Sequence, residues 1–249
     1  MVSRARERIA AVRRGTEALP SPNIWHWPEV YEIENRAQDV DGRIWQALDR
    51  LVGWTGRDVV DVGCGDGFHL PRFARNARRV VGVEPHPPLV RRARERVAGL
   101  PVVEVLPGSA QHLPLPDTSV DVVHARTAYF FGPGCEPGLT EADRVLRPGG
   151  RLVIVDLDVR HRPYGDWMLA DLPDYDVREV DEFFQRLGFR IHPVETLWRF
   201  ASREDLEAVL RIEFSARVAA RAVARVSGLA LPVGYRILYR EKPAGLLRP

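Results

Sequence analysis

The chain has 249 residues, 45% apolar and 28% charged, so it is long and apolar enough to form one globular domain, or one domain with additions. Its 36 basic and 34 acidic residues leave a formal net charge of +2, which argues against a large electrostatic footprint for nucleic acid. The longest apolar runs are strand-sized and the N-terminus has no signal-peptide core, so we expect a cytoplasmic protein without a membrane partner. Two cysteines are too few for a disulfide framework or a metal cage.

The N-terminal 40 residues predict helix and loop. Residues 3–14 are rich in arginine and are interpreted as a helix that is solvated or packed on a partner, in preference to a phosphate site. Residues 16–28 predict a loop in which two tryptophans flank His26, and a short helix follows up to Gln38. The tryptophans are expected to anchor this segment on the core.

A strand, a glycine turn and a helix follow one another next. Asp41 is predicted to cap a helix through Leu51, which leads into the β-branched run 59–62, typical of a buried parallel strand. A helical pattern starts at Phe68. Glycine permits positive φ and lets a ligand approach the backbone, where the helix start offers unpaired N–H groups. The turn therefore predicts a site for a ligand with polar ends, and its glycines are Gly63, Gly65 and Gly67.

An acid at the end of the second strand narrows the choice of ligand. The predicted strand 79–84 ends in Glu84, and a carboxylate at that place accepts hydrogen bonds from a ribose diol. The dinucleotide fingerprint G-x-G-x-x-G requires glycine at position 68, where this chain has Phe68. A nicotinamide dehydrogenase is therefore disfavoured, although it stays open as an alternative.

Two further segments complete a family pattern. Residues 102–124 predict two strands joined by a loop, and residues 141–155 predict a helix, an L-x-P-G-G turn and a fifth strand. With the glycine turn, these segments resemble the class I S-adenosylmethionine-dependent methyltransferases, whose first motif is a hydrophobic strand, D-x-G-x-G-x-G and an acid ending the next strand. The resemblance is close over residues 40–158. The matching residues are Asp61, Gly63, Gly65, Gly67 and Glu84.

The resemblance implies S-adenosylmethionine as cofactor and assigns its contacts. Cys64 is expected to contribute its backbone, and the His124 carbonyl to face the cofactor's amino group. Many relatives have an acid at the position of Ser109, whose hydroxyl is a weaker acceptor for the adenine amino group, beside the Ala110 N–H. The predicted cofactor-binding set is Tyr31, Arg36, Asp61, Gly63, Cys64, Gly65, Glu84, Pro85, Ser109, Ala110 and His124.

The segment before the first strand often folds over the cofactor in this family. We therefore expect residues 25–38 to form a lid over the methionine end that lines the acceptor pocket, with Tyr31 and Arg36 near the cofactor carboxylate. The predicted division is an N-terminal helix and lid at residues 1–40 and a methyltransferase domain at residues 41–249.

The implied fold class is α/β, with a Rossmann-like, doubly wound sheet of seven mostly parallel strands, an antiparallel edge strand, the N-terminal helical lid and a late helical insertion. Residues 158–176 and 201–228 are expected to be insertions on the acceptor side. The second contains a predicted helix over 203–226 between the strands 189–200 and 229–240, which fits an antiparallel edge hairpin with an inserted helix. That helix either roofs the acceptor site or forms a homodimer surface, and both alternatives stay open.

A metal site is one possible interpretation of Asp156, Asp158 and His161, which follow the fifth strand. Hard cations need several oxygen ligands that converge on one point. Metal-dependent relatives use carboxylates after the fourth strand, where this chain has His124 and Arg126. We therefore predict no metal.

The expected reaction is in-line transfer of the sulfonium methyl to O, N or C of an acceptor, for which the protein orients the reactants, excludes water and, where needed, removes a proton. His26 and Tyr129 are the candidates for orienting or deprotonating the acceptor. No N-P-P-Y motif follows the fourth strand, which disfavours nucleobase amines, and the aromatic residues near the site favour a small-molecule acceptor. A cofactor-binding scaffold or sensor without catalysis is the alternative, because binding does not establish chemistry.

Overall fold

One seven-stranded sheet organises the protein, whose computed structural model describes residues 21–244. The predicted basic helix at residues 3–14 lies outside the described residues. The strands are β1 (Asp58–Val62), β2 (Arg79–Glu84), β3 (Val103–Pro107), β4 (Val120–Arg126), β5 (Leu146–Leu157), β6 (Arg190–Arg199) and β7 (Ala230–Glu241). Their order across the sheet is β3-β2-β1-β4-β5-β7-β6.

The first five strands pair in parallel, whereas β7 is antiparallel to both of its neighbours, β5 and β6. The predicted Rossmann-like sheet is therefore confirmed. Its antiparallel strand, β7, lies one position in from the edge, and the antiparallel pair β6–β7 forms that end of the sheet. The helices between the two strands are the predicted late insertion.

Helices cover both faces of the sheet, as expected for a doubly wound fold. Successive strand residues point to opposite faces, so Val59 and Val122 belong to one apolar core while Val60 and Val123 belong to the other. Within residues 21–244, no helix combines the length and the apolar character needed to cross a bilayer. The helices are α1 (Pro22–His26), α2 (Pro28–Ala37), α3 (Arg43–Leu51), α4 (Leu70–Ala74), α5 (Pro87–Val97), α6 (Glu136–Val145), α7 (Tyr164–Asp171), α8 (Val177–Arg186), α9 (Arg203–Glu213) and α10 (Ala216–Arg225).

The order of the strands fixes where a ligand can bind. The chain runs from β1 outward to β2 and β3, and then returns to place β4 on the other side of β1. The C-terminal ends of these four parallel strands lie at one edge of the sheet, and the change of direction between β1 and β4 opens a crevice there. The site is therefore expected at the ends of β1 to β4.

Two local predictions are wrong. The Asp39 carboxylate, and not that of Asp41, caps α3, because it accepts hydrogen bonds from the Ile44 and Trp45 N–H groups at 3.0 and 3.3 Å. The reason is the left-handed residue Gly42, with a φ of +68°, which reverses the chain so that Asp39 lies beneath the first turn. The exposed Asp41 makes no such contact.

The predicted single helix over 203–226 is two helices, α9 and α10. Phe214 is extended, and Ser215 donates to the Asp171 carboxylate through its N–H at 2.6 Å and its hydroxyl at 2.7 Å. Asp171 ends α7, a helix inside the 158–176 insertion, so this contact ties the two insertions together.

Candidate active site

The turn after β1 is tied to the neighbouring strand by its own backbone. The N–H groups of Gly63 and Cys64 both donate to the Val83 carbonyl, at 2.8 and 3.1 Å. Gly63 has a φ of +72°, and a Cβ there would stand 2.6 Å from the Ala128 Cβ. Any residue other than glycine would therefore force apart the turn and the loop that follows β4.

Glu84 ends β2 beside that turn. Its carboxylate accepts hydrogen bonds from the Gly65 and His86 N–H groups, both at 3.0 Å. Burial raises the pKa of Glu84 to about 7, although both hydrogen bonds favour the ionised form. The residue is 4% exposed, yet it lines a cavity, so free lone pairs of its oxygens are available to a bound ligand.

That cavity, here called the cofactor cavity, lies across the ends of β1 to β4. The structure brings together most of the residues that the sequence assigned to cofactor binding. Those that line it are Tyr31, Asp61, Gly63, Cys64, Gly65, Glu84, Pro85, Ser109 and Ala110, and they are joined by the predicted catalytic residue Tyr129.

The helices α1 and α2 form the wall that faces the strand ends. In α1, Ile24 packs against Gly65, and Trp25 stacks on His86 with ring centroids 4.3 Å apart. This helix therefore lies at the Glu84 end of the cavity, whereas the sequence placed the whole segment over the opposite end. The cavity is also lined by Tyr31 and Asn35 of α2 and by Gln38, which directly follows that helix.

Two predicted residues of this segment lie outside the cavity. The Arg36 side chain is 71% exposed and pairs with Glu32 at 3.0 Å. Glu34, Asn35 and Ala37 are the buried residues of α2, so the helical repeat turns Arg36 outward. His26 is likewise exposed and contacts Trp27 edge-on, so it is absent from the cavity lining.

His124 was expected to offer its carbonyl to the cofactor, but it does not line the cavity. It lies in the interior of β4, between Asp61 of β1 and Val153 of β5. Its Nδ1 is 2.7 Å from Asp61 Oδ1, so the imidazole is a buried partner of a cavity residue. Its effect on the site is to hold the Asp61 carboxylate in place.

Arg126 and His69 also line the cavity, and neither was in the predicted cofactor-binding set. Arg126 ends β4 and donates from Nη2 to Gln38 Oε1 at 2.7 Å. Burial, and next the charge of Arg126, hold the pKa of His69 well below its usual range, so its imidazole is neutral. The signal in the sequence for Arg126 was its position at the end of a strand that points into the crevice.

Tyr129 closes the cavity near β4 with a phenol that is a poor base. Its φ is +52°, and its ring packs so closely on Gly138 that a Cβ there would lie 2.3 Å from Tyr129 Cε1. Burial raises the pKa of Tyr129 to about 12. The hydroxyl is therefore protonated at neutral pH, and the ring serves as a wall.

A second cavity adjoins the first and is here called the acceptor cavity. Thr127 and Phe131, from the loop after β4, line both cavities. The other walls come from β5, from the 158–176 insertion and from the end of α9. These remaining residues are Asp156, Leu157, Met168, Asp171, Leu172, Tyr175, Glu213 and Phe214.

The acceptor cavity is mostly apolar but contains three carboxylates and no cationic side chain in its lining. Asp156 pairs with the buried Arg236 at 2.9 Å. The partners of Asp171 are neutral groups of Ser215. Glu213 accepts hydrogen bonds from Asn23 and from the Tyr164 hydroxyl. The lining therefore presents negative charge.

The two carboxylates that the sequence offers as metal ligands pair with arginines instead. Asp156 pairs with Arg236, and Asp158 lies 2.8 Å from the Arg160 Nε. In the part of the chain that the structure describes, no three His, Cys, Asp or Glu side chains are arranged to hold a metal ion.

Comparisons with known proteins agree with this geometry. Residues 60–154 match the family described as "Methyltransferase domain". A probable S-adenosylmethionine-dependent methyltransferase from Mycolicibacterium smegmatis is 32% identical over 156 residues, which are 61% of this chain and 60% of the relative. A tRNA U34 carboxymethyltransferase from Cellvibrio japonicus is 34% identical over 130 residues, 51% of this chain and 40% of the relative. The chain therefore spans 60% or less of the length of these curated relatives.

The same fold occurs in solved structures. The [4+2]-cyclase SpnF superposes with a TM-score of 0.58 at 26% identity, over 82% of this chain and 81% of the cyclase. The sheet order and the glycine turn define a Rossmann-like nucleoside-cofactor fold. Residues 60–154 are therefore a methyltransferase domain, and the matches support the class I S-adenosylmethionine-dependent type that the sequence predicts, which implies S-adenosylmethionine as its cofactor.

The donor set of the cofactor cavity fits this molecule. A buried carboxylate at Glu84 suits a ribose diol, and the hydroxyl of Ser109 with the N–H of Ala110 suits an adenine edge. The glycine turn leaves its backbone open to the chain that joins them.

Proposed function

We propose that the protein transfers the methyl group of S-adenosylmethionine to a small-molecule acceptor bound in the acceptor cavity. The observation that supports this proposal is that Thr127 and Phe131 line both cavities, so the two adjoin at these residues. A methyl donor on one side and a nucleophile on the other side of this junction would meet without crossing bulk solvent.

We assign the adenosine part of the cofactor to the ends of β2 and β3, with Glu84 holding the ribose and Ser109 and Ala110 holding the adenine. When bound, S-adenosylmethionine supplies an electrophilic methyl group. Residues 21–40 act as the lid, because Ile24 and Trp25 close the cavity over the glycine turn and His86. A cytoplasmic location stays a prediction from composition.

The acceptor is proposed to be apolar and uncharged or basic. Phe131, Met168 and Phe214 offer apolar surface, while the carboxylates of the lining repel anions. A phosphate backbone would place negative charge against this wall. One curated relative is named for tRNA, but this cavity favours a small molecule over a nucleic acid.

The chemistry of the chain is mainly positioning. His26 is too far outside both linings to serve as the base, and Tyr129 is held protonated by its surroundings. The role proposed for Tyr129 is to orient the acceptor with its ring. An acceptor that attacks without losing a proton first, such as a neutral amine, would need no base from the protein.

The test is transfer of labelled methyl from S-adenosylmethionine to two acceptor pools: a set of apolar small molecules with amine or phenol groups, and bulk tRNA. We expect label in small molecules only, and none with Gly63→Ala. Label in tRNA would contradict the proposed acceptor class. Binding of S-adenosylhomocysteine without transfer to any acceptor would instead favour the alternative of a cofactor-binding scaffold or sensor that does not methylate.

A further inference from the structure

Arg126 is a buried cation inside the cofactor cavity. The residue is 9% exposed, and its guanidinium donates to the neutral amide of Gln38 at 2.7 Å. It also lies over the Tyr235 ring, 5.4 Å from the centroid. Within residues 21–244 it forms no ion pair with a carboxylate, whereas many of the chain's other arginines pair directly with an acid.

A buried guanidinium without a carboxylate partner calls for an anion bound beside it. Removing a guanidinium from water costs several kcal/mol unless a counter-charge or a full set of hydrogen bonds compensates it. Gln38 is neutral, and its Nε2 donates to the Glu34 carboxylate at 2.8 Å. Arg126 is therefore linked to that carboxylate only indirectly. The Asp39 carboxylate, which lies nearby, is occupied by the N–H groups of Ile44 and Trp45. Arg126 therefore has donor capacity that faces the cavity.

The position of Arg126 in the sheet identifies which part of the cofactor it meets. Glu84 ends β2 and Ser109 follows β3, so the adenosine end lies on that side of β1. Arg126 ends β4, on the opposite side of β1, and directly follows Ala125, which pairs with Val62 at the end of β1. The amino-acid end of the cofactor therefore reaches the guanidinium.

We infer that Arg126 binds the carboxylate of the cofactor's amino-acid part. The planar guanidinium matches a carboxylate with two parallel hydrogen bonds. This inference rests on the proposed function and replaces Arg36, whose side chain is exposed and paired with Glu32. Gln38 is the positioning residue that holds the guanidinium from the lid side.

The test compares two ligands that differ only in the carboxylate: S-adenosylhomocysteine and its decarboxylated form, which keeps the adenosine, the thioether and the amine. Their dissociation constants are measured by calorimetry on the wild type, Arg126→Met and the matched control Arg36→Met. A hydrogen-bonded charge pair is worth about 1.5–3 kcal/mol, so Arg126→Met is expected to weaken S-adenosylhomocysteine by about 10- to 100-fold. Its affinity for the decarboxylated ligand should stay within about twofold. Arg36→Met should change neither ligand.

Every other outcome overturns the inference. Equal fold-losses for both ligands in Arg126→Met and in Arg126→Lys, which keeps the charge, mean that Arg126 only supports the fold. No loss for either ligand means that the guanidinium does not touch the carboxylate. A wild type that binds neither ligand contradicts the proposed cofactor use itself, and this result is distinct from the others.

Discussion

The two cavities of this protein are built in different ways. The cofactor cavity is built around a glycine turn whose backbone is fixed at the ends of parallel strands, where Gly63 and Cys64 donate to Val83 and Gly65 donates to Glu84. The acceptor cavity is formed by side chains from a loop, an insertion and the end of α9. The first is expected to tolerate almost no added atoms, whereas the second can be reshaped by exchanging single side chains.

The contrast predicts that side-chain substitutions affect the two cavities differently. Backbone contacts do not depend on side-chain identity, so they persist when neighbouring residues change. The acceptor walls lie in segments that connect or follow the strands, where changes disturb the sheet least. The predictions below separate the two cavities by experiment.

The largest effect is expected from Gly63→Ala. Backbone strain at a φ of +72° and the 2.6 Å approach to Ala128 each cost on the order of 1–3 kcal/mol. S-adenosylhomocysteine affinity, measured by calorimetry, should fall about 100-fold or more. The matched control is Gly56→Ala, which has a similar φ of +67° but nothing within 4 Å of the new Cβ, and it should leave affinity unchanged. Equal losses in both variants would show that general destabilisation, and not the turn, is responsible.

The next effect is a pH dependence of cofactor binding. Ribose hydroxyls donate hydrogen bonds, so they favour the ionised form of Glu84, whose pKa is about 7. Ionisation increases as pH rises through that value, and affinity should therefore be up to about tenfold weaker at pH 6 than at pH 8. Glu84→Gln should bind more weakly at pH 8 and give a flat profile. A wild-type profile that is flat as well would mean that Glu84 does not bind the ribose in its ionised form.

A smaller and selective effect is expected in the acceptor cavity. Met168→Ala removes apolar contact worth about 1 kcal/mol, which should raise the KM for an identified acceptor about fivefold. Cofactor affinity should not change. The control is Leu169→Ala on the same helix, because Leu169 is 38% exposed and lies outside this lining. A loss of cofactor affinity in Met168→Ala would break the separation of the two cavities.

The smallest effect concerns the cap of α3, the helix that follows the lid segment. Asp39→Ala removes the cap of α3 and should lower the free energy of unfolding by about 1 kcal/mol, or the Tm by about 2–4 °C. Asp41→Ala should have no measurable effect on thermal unfolding. If Asp41→Ala lowered the Tm and Asp39→Ala did not, Asp41 would be the cap, as the sequence predicts.

The cofactor half could be predicted because its signals are local. The strand, the glycines and Glu84 occur within 27 residues of sequence, from Asp58 to Glu84, and each restricts the backbone. The strand order and most of the predicted residues that line the cofactor cavity followed from them. His124 was misplaced because the pattern did not show that its ring and backbone are enclosed between β1 and β5.

The remaining half depends on tertiary packing. The face that α2 presents to the sheet decides between Arg36 and Asn35, and a polar helix does not encode that choice in its own sequence. Thr127 and Glu213 both line the acceptor cavity although they are 86 positions apart in the sequence, so no local motif predicts this cavity. The break between α9 and α10 depends on Asp171, a residue of another element.

The most direct test of the two-cavity account is a crystal structure of the protein with S-adenosylhomocysteine. The account predicts the ribose on Glu84, the carboxylate on Arg126 and the thioether sulfur at the junction formed by Thr127 and Phe131, facing the acceptor cavity. A sulfur that faces solvent, or a ligand seated outside the cofactor cavity, would contradict it.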